Sequence, residues 1–209
     1  PRFGLVSWAR DVYKRQVSMF YLIQKLIENK KIAFISGLLW ILNPFLITMI
    51  VFGHGSQMMT AAFFPITLYL LIRLKDKQSI SNMLLFALAL GLQLQRAHVQ
   101  IAYYACMLLG FFFIYSFYHY RSKKYMTLFF SAIVIAFLIA SHIYLPSLDY
   151  REMSIRSSEM GSFAYATNWS MHPKELLTYI IPNYYGFGGS TYEGFMPFTD
   201  FPNYVGLFV

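Results

Sequence analysis

Polar side chains suited to holding an anion lie at two short breaks between long apolar segments. The first break carries His54 and Gln57, and the second carries Arg96, His98 and Gln100. A guanidinium group offers a planar fork of donors that matches phosphate, and it stays charged when partly desolvated. Imidazole and amide groups add further donors. These five residues are therefore predicted to bind an anionic ligand, and ordinary polar turn residues are the alternative interpretation.

Signatures of catalysis or metal binding are weaker than this polar pattern. The histidines lack a zinc-ligand spacing such as HExxH, and Cys106 is the only cysteine in the chain. No metal ligand and no cofactor is predicted, and nothing in the residues supports a divalent metal. No carboxylate pair near the C-terminus has a diagnostic spacing, so these side chains are interpreted as solvated loop charges and the catalytic residue stays unknown. They are Asp149, Glu152, Glu159, Glu175, Glu193 and Asp200.

Aromatic residues are dense in two stretches near the C-terminus, 165–169 and 184–204. Aromatic faces with a few polar groups nearby suit sugar rings and amphipathic ligands. Tyr165 and Trp169 are therefore predicted to bind substrate. The alternative is that these rings form the aromatic belt of a membrane interface.

The elements that position these residues must be membrane helices. The chain has 209 residues, of which 57% are hydrophobic and only 12% are charged, whereas soluble domains carry about 25% charged residues. The net charge of +8 comes from short clusters between the apolar segments, which is typical of membrane topology and not of a nucleic-acid-binding face. The composition predicts an all-α integral membrane protein that forms a multi-pass helical bundle. It is expected to interact with the lipid bilayer and not to bind nucleic acid.

The apolar segments predict about six membrane-spanning helices over residues 17–146, with the first one truncated. Asn43-Pro44 predicts a kink in the second, and Pro65 lies inside the third. The segments are 17–27, 32–52, 58–72, 80–95, 101–118 and 125–145.

The two ends of the chain differ from this middle part. Residues 1–16 resemble translated adaptor sequence and are predicted to be non-native, with a genuine basic loop as the alternative. Residues 147–203 are predicted to form a long extracytoplasmic loop, and residues 204–209 to begin another membrane helix. Inside the loop, His172–Ile181 predicts a short amphipathic helix with Pro173 in its first turn and Leu176, Leu177, Ile180 and Ile181 on one apolar face.

Positive charge alternates from turn to turn along the chain. Turns rich in lysine and arginine alternate with the turns Gly53–Gln57, which has none, and Arg96–Gln100, which has one. Because cytoplasmic loops carry the excess of positive charge, the two poor turns and the long loop are predicted to be extracytoplasmic. The rich turns hold Lys25, Lys30 and Lys31, then Arg73, Lys75 and Lys77, then Arg121, Lys123 and Lys124.

Four motifs in this order resemble the YfhO family of bacterial membrane proteins. They read GHGSQ, RAHVQIAYYA, SFAYATNWSMHPKELLTYIIPNYYG and PFTDFPNYVG. The most specific part is Tyr165-Ala166-Thr167-x-Trp169-Ser170, followed by Pro173, Glu175 and Pro182-Asn183. The family usually shows Asn-His where this chain has Arg96-Ala97-His98, so Arg96 is a departure from its pattern.

The resemblance implies a glycosyltransferase of the GT-C type in the bacterial cytoplasmic membrane. Such an enzyme takes a polyprenyl-phosphate-linked sugar as donor and modifies a cell-envelope polymer, such as lipoteichoic acid, outside the cytoplasm. Its catalytic acid typically lies in a first outer loop, which we expect to lie outside this chain. A transporter or flippase of lipid-linked sugars and a non-catalytic envelope assembly protein remain open as alternatives.

Overall fold

In a computed structural model the chain forms α-helices joined by short turns, followed near the C-terminus by loop segments with two short 3₁₀ helices. The structure describes residues 2–96, 98–151, 153, 167, 170–201, 203–204 and 206, without the side chains of residues 2–14 and 151. The all-helical membrane architecture predicted from the composition is confirmed. The helices are α1 (Arg2–Ile27), α2 (Lys30–Leu42), α3 (Pro44–Val51), α4 (Gly55–Ala62), α5 (Phe64–Asp76), α6 (Ile80–Leu94), α7 (Val99–Tyr120) and α8 (Lys123–Arg151).

In the part of the chain that the structure describes, four helical stretches have the length and apolar composition needed to cross a membrane. α6 is apolar but shorter than these four. α1 contains the short apolar segment 17–27. Residues 2–16 belong to the same helix. The four stretches are Lys30–Val51, Gly55–Asp76, Val99–Tyr120 and Lys123–Tyr150.

Two of the membrane-spanning stretches are broken at their prolines, and the sequence predicts the first of these breaks, at Asn43-Pro44. The Asn43 side chain accepts a hydrogen bond from the Leu46 N–H at 3.2 Å and so caps α3, whose first residue is Pro44. Pro44 fits there because the first turn of a helix needs no N–H donor within the helix. Pro65 likewise lies in the first turn of α5, which begins after a break at Phe63.

Helices extend further into the polar turns than the sequence predicts. Gln57 is part of α4 and Gln100 is part of α7, each near the start of its helix. Both residues are therefore helical, whereas the sequence predicts them in the polar turns. α8 continues through Pro146 to Arg151, so the start of the loop, predicted at residue 147, lies later in the chain. Polar residues are readily accommodated in terminal turns, where the backbone groups are open to capping and solvent.

The chain forms two compact units. The first unit comprises Pro1–Ile41 and His54–Ile143, and the second comprises Leu42–Gly53 and Tyr144–Val209. In the first unit Phe113 of α7 stacks on Phe129 of α8 with ring centroids 3.9 Å apart, and Phe86 of α6 stacks on Phe129 at 6.1 Å. Lipid tails are as apolar as these side chains, so the hydrophobic effect does not drive membrane helices together. Close van der Waals packing of this kind holds them together instead.

The basic turns of the first unit meet at one end of its helices. The Ser122 hydroxyl, before α8, donates to Gln78 Oε1, after α5, at 2.8 Å. The Lys25 ammonium near the end of α1 lies 2.8 Å from Asp76 Oδ2 at the end of α5. Phe63, at the other end of α5, lies beneath Arg96. The basic turns and the Arg96 turn therefore lie at opposite ends of α5, as the charge alternation predicts.

Labelling of single cysteines should place the basic turns and the long loop on opposite sides of the membrane. In a Cys106→Ala background, Lys124→Cys is expected to react with an impermeant thiol reagent only after the cells are opened. Ser190→Cys in the loop is expected to react in intact cells. Both side chains are exposed, so reagent access reports sidedness. Equal labelling of both positions in intact cells would contradict the predicted topology.

The second unit contains a folded loop instead of the amphipathic α-helix predicted at His172–Ile181. A 3₁₀ helix runs from Pro173 to Tyr179, capped by the His172 ring, which accepts from the Lys174 N–H at 3.2 Å. With three residues per turn, positions 175 and 178 share a face, and Glu175 and Thr178 are the buried residues. The four predicted apolar residues are instead exposed, with Leu177 at 41%. Packing of that face against a bilayer stays a prediction.

Candidate functional site

Two histidines of the predicted anion site lie close together in the first unit. His54 is the residue before α4, and His98 is the residue before α7. α4 and α7 pack against each other, and the two rings are close enough to interact electrostatically. The structure therefore brings together two residues that are far apart in the sequence, as the prediction requires.

The His98 ring has a defined role and protonation state. Its Nδ1 accepts the Ile101 N–H at 3.3 Å, which caps α7 and leaves the proton of the neutral ring on Nε2. Burial lowers the pKa of His98 below its ordinary value, and the nearby His54 lowers it further because two adjacent positive charges repel each other. The ring is therefore neutral at neutral pH and offers Nε2–H as a donor.

Arg96 supplies the permanent positive charge at this end of the helices. Its guanidinium carbon lies 5.3 Å from the centre of the Phe63 ring, at the break between α4 and α5. Its Nε is buried and has no hydrogen-bond partner among the described residues. Buried donors in proteins are nearly always paired, so an arginine held in this way is suited to an acceptor from outside the chain.

Of the two glutamines in the predicted anion site, one is half-buried and the other is exposed. Gln57 is half-buried in the first turn of α4, after His54. Gln100 is exposed, and its Nε2 donates to the Tyr104 hydroxyl at 3.0 Å on its own helix. The prediction also requires a non-helical backbone near Ala97. Ala97 lies outside the described residues, but its neighbour His98 is non-helical, with φ −95° and ψ 88°.

Two further polar residues, at the end of α6, hold helices together. Gln93 is fully buried, donates to the Thr60 carbonyl at 3.1 Å, and its Oε1 lies 3.2 Å from the Thr67 hydroxyl. Gln95 donates to the Ile139 carbonyl of α8 at 2.9 Å. Both side-chain amides donate hydrogen bonds to backbone carbonyls of neighbouring helices. They therefore contribute to the structure that supports Arg96.

Tyr165 and Trp169, the remaining predicted substrate-binding residues, lie outside the described residues. So do Glu152 and Glu159 among the loop carboxylates. Asp149 and Glu193 are exposed, as expected for solvated charges.

Glu175 contradicts the interpretation of the loop carboxylates as solvated charges, because only 1% of it is exposed. Its Oε1 accepts two hydrogen bonds at 2.5 Å, one from the Tyr192 hydroxyl and one from the Phe195 N–H. Burial and the bond to Glu175 raise the pKa of Tyr192, so the phenol keeps the proton that it donates. A side chain at Gly194 would overlap both Glu175 Oε1 and the Tyr192 hydroxyl. The loop is therefore folded around this carboxylate.

Sequence reasoning placed Glu175 at the start of a helix but did not foresee its burial. The partners come from residues 192–195, and no sequence pattern links them to residue 175. The local signal, Pro173 and Glu175 in the first turn of a helix, indicates an ordered segment but not the burial of the carboxylate.

Among the described residues, no group of three or more His, Cys, Asp and Glu side chains could hold a metal ion.

Comparison with known proteins places the chain in a family. Residues 16–195 match the model described as "6-pyruvoyl-tetrahydropterin synthase related domain; membrane protein". No curated protein and no solved structure matches the chain. The chain belongs to the 6-pyruvoyl-tetrahydropterin synthase related family of membrane proteins.

Proposed function

We propose that this membrane protein is a bacterial glycosyltransferase of the GT-C type. It takes a sugar from a polyprenyl-phosphate donor and modifies a cell-envelope polymer, such as lipoteichoic acid, on the outer side of the cytoplasmic membrane. The resemblance of its four motifs to the YfhO family supports this proposal. The catalytic residue stays unassigned.

The observation that carries the proposal is the position of Arg96. The guanidinium is half-buried beside Phe63, and its buried Nε has no hydrogen-bond partner among the described residues. His54 and His98 lie at the same end of the helices. A helix end lies at the depth of lipid headgroups, where the phosphate of a polyprenyl donor also lies. An arginine with a histidine N–H donor nearby suits a phosphate better than a neutral sugar.

Replacement of Arg96 by glutamine tests the proposal. The variant is expected to bind undecaprenyl phosphate in nanodiscs roughly 10- to 150-fold more weakly, because a charge-assisted hydrogen bond contributes about 1.5–3 kcal/mol. Arg96→Lys is expected to lie between wild type and Arg96→Gln, since lysine keeps the charge but loses the planar fork. Binding can be measured by titration of a fluorescent polyprenyl phosphate.

The matched control is Arg121→Gln at the basic end of the first unit. Arg121 also lies over an aromatic ring, with its guanidinium carbon 5.0 Å from the centre of Tyr118. Its replacement is expected to leave binding unchanged. If folded Arg96→Gln binds the lipid as wild type does, Arg96 is an ordinary residue of a polar turn and the donor site lies elsewhere.

Sugar transfer separates the enzyme from a transporter of the same lipid. Both bind the phosphate, but only the enzyme attaches the sugar to an envelope polymer. Membranes that contain the protein, the lipid-linked sugar and the acceptor are expected to yield glycosylated polymer, detectable by mass spectrometry. Movement of the donor across the membrane without any transfer would favour the flippase.

A further inference from the structure

An open cleft lies between α1 and α5 at the basic end of the first unit. Its volume of about 400 Å³ falls in the range of roughly 300–1,000 Å³ that is typical of ligand sites. The ends of membrane helices lie at the depth of lipid headgroups, so a headgroup can enter this cleft. Its walls are formed by Tyr21, Gln24, Lys25, Glu28 and Tyr69.

One side of the cleft carries an excess of positive charge. Lys25 Nζ lies 2.8 Å from Asp76 Oδ2, and Lys75 Nζ lies 3.2 Å from Asp76 Oδ1, so two ammonium groups share one carboxylate. An ammonium group has three N–H donors, and the ion pair with Asp76 leaves Lys25 able to bind another anion. Arg73, whose guanidinium carbon lies 5.8 Å from the centre of the Tyr69 ring, adds a positive charge beside the cleft. This side therefore suits a phosphate.

The other side of the cleft presents acceptors. Gln24 Oε1 is buried and has no hydrogen-bond partner among the described residues, whereas buried side-chain acceptors nearly always have one. Glu28, which follows α1 and is close enough to Lys25 to interact electrostatically, adds a carboxylate. The rings of Tyr21 and Tyr69, with centroids 6.0 Å apart, offer faces that attract a cation. This side therefore suits a positively charged group that carries N–H donors.

The backbone at Glu28 also indicates a role for this carboxylate. Its φ is +58°, a left-handed conformation that ends many helices but that is usually occupied by glycine or asparagine. The carboxylate moreover lies at the C-terminal end of α1, where the helix dipole favours a positive group. Both effects disfavour a glutamate at this position, and a bound cation would offset the second of them.

We propose that the cleft binds the headgroup of phosphatidylethanolamine, with the phosphate at Lys25 and the ammonium group at Gln24 Oε1 and the Glu28 carboxylate. Residues 25 and 28 are three positions apart, which is about 4.5 Å along a helix axis. A phosphate and an ammonium group joined by two carbon atoms can bridge this spacing. The site lies at the opposite end of α5 from Arg96 and is independent of the proposed sugar transfer.

The surface of α1 beside the cleft fits a lipid better than a free headgroup. Val17, Tyr21 and Gln24 follow one face of α1 at spacings of four and three residues. Val17 and Tyr21 are exposed, so they offer apolar surface to an acyl chain whose headgroup lies at Gln24. Among common lipids, phosphatidylcholine has no N–H donor for Gln24 Oε1, and phosphatidylglycerol has no positive charge for Glu28.

Native mass spectrometry of the full chain in detergent, after removal of co-purified lipid, tests the proposal. In an equal mixture of the three dioleoyl lipids, one phosphatidylethanolamine is expected to stay bound, about tenfold or more tighter than either of the others. This factor is the usual effect of losing one charge-assisted hydrogen bond. Equal binding of the three lipids, which would indicate an unselective lipid shell, overturns the proposal, and so does a preference for phosphatidylglycerol.

The water-soluble headgroup separates a membrane lipid from a soluble ligand. Glycerophosphoethanolamine carries the same phosphate and ammonium group but has no acyl chains. It is expected to displace the bound lipid only at concentrations far above those of the lipid itself. Binding as tight as that of phosphatidylethanolamine would show that the cleft takes a soluble ligand and would overturn the lipid assignment.

Variants of the wall locate the site. Gln24→Leu and Glu28→Gln are each expected to weaken phosphatidylethanolamine about tenfold or more, and so to remove its advantage over phosphatidylcholine. Lys77→Gln is the control, because Lys77 is an exposed cation of the neighbouring basic turn that does not line the cleft. It should keep the full preference.

Glu28→Asn separates binding from folding. Asparagine adopts the left-handed conformation more readily than glutamate, so this variant should be at least as stable as wild type and still lose the preference for phosphatidylethanolamine. It should bind undecaprenyl phosphate as wild type does, because Arg96 lies at the other end of α5. An unchanged lipid preference in folded Glu28→Asn and Gln24→Leu overturns the proposal, as does an equal loss of both lipids in Glu28→Asn.

Discussion

Replacing Gly186 with alanine is expected to disrupt the loop of the second unit. Gly186 has φ +81°, and a Cβ at this position would overlap the carbonyl oxygen of Thr191. The left-handed backbone costs an L-residue about 1–2 kcal/mol, and relieving an overlap in a packed region costs typically another 1–3 kcal/mol. The loop should therefore lose roughly 2–5 kcal/mol of local stability.

Hydrogen exchange of the Glu193 amide measures this loss. The Glu193 N–H donates to the Tyr185 carbonyl at 2.9 Å and so closes the turn around Gly186. Because each 1.4 kcal/mol is a factor of ten, exchange through local opening should accelerate by about 30- to 4,000-fold in Gly186→Ala.

Gly189→Ala is the matched control for the overlap. Gly189 also has a positive φ, +56°, but a Cβ there would meet nothing within 4 Å. This variant carries the strain of the left-handed backbone alone and is expected to accelerate exchange only about 5- to 30-fold. Equal acceleration in the two variants would show that the close approach of Thr191 to Gly186 does not restrain the loop.

The helices of this protein could be predicted because their cause is local. A long apolar segment must form a helix in a membrane, since no water is present to satisfy its backbone groups. The breaks at Asn43 and Phe63 follow equally from proline chemistry. That His54 and His98 lie at the same end of the helices could also be predicted, because alternate turns of a helical bundle lie at the same end.

The positions of the buried polar residues could not be predicted in this way. Glu175 finds its partners at Tyr192 and Phe195, beyond a Gly-rich segment whose folding depends on tertiary contacts. Gln93 and Arg96 are both polar and close in sequence. The two side chains contact different groups: Gln93 bonds to the Thr60 carbonyl, whereas Arg96 lies over the Phe63 ring. A short turn does not show which way each side chain points around the helix axis, so the sequence could not reveal this difference.

Replacing Gln93 with leucine is expected to destabilise the first unit by about 0.5–1.5 kcal/mol, the usual net contribution of a hydrogen bond to stability. Pro65 has no N–H, so it interrupts the hydrogen bonds of the helix between α4 and α5. Near this interruption the Gln93 amide donates to the Thr60 carbonyl at 3.1 Å, and the Phe63 N–H reaches the same carbonyl at 3.3 Å. Leucine has a similar volume but no donor, and apolar surroundings offer no water as a substitute.

The free energy of unfolding in mixed detergent micelles measures the effect, with Gln100→Leu as the control. Gln100 is exposed and bonds only to Tyr104 among the described residues, so its replacement should change the free energy by less than about 0.5 kcal/mol. Because Gln93 is fully buried, folded Gln93→Leu should still bind polyprenyl phosphate with unchanged affinity. A variant of wild-type stability that no longer binds the lipid would instead assign Gln93 to the ligand site, beside Arg96.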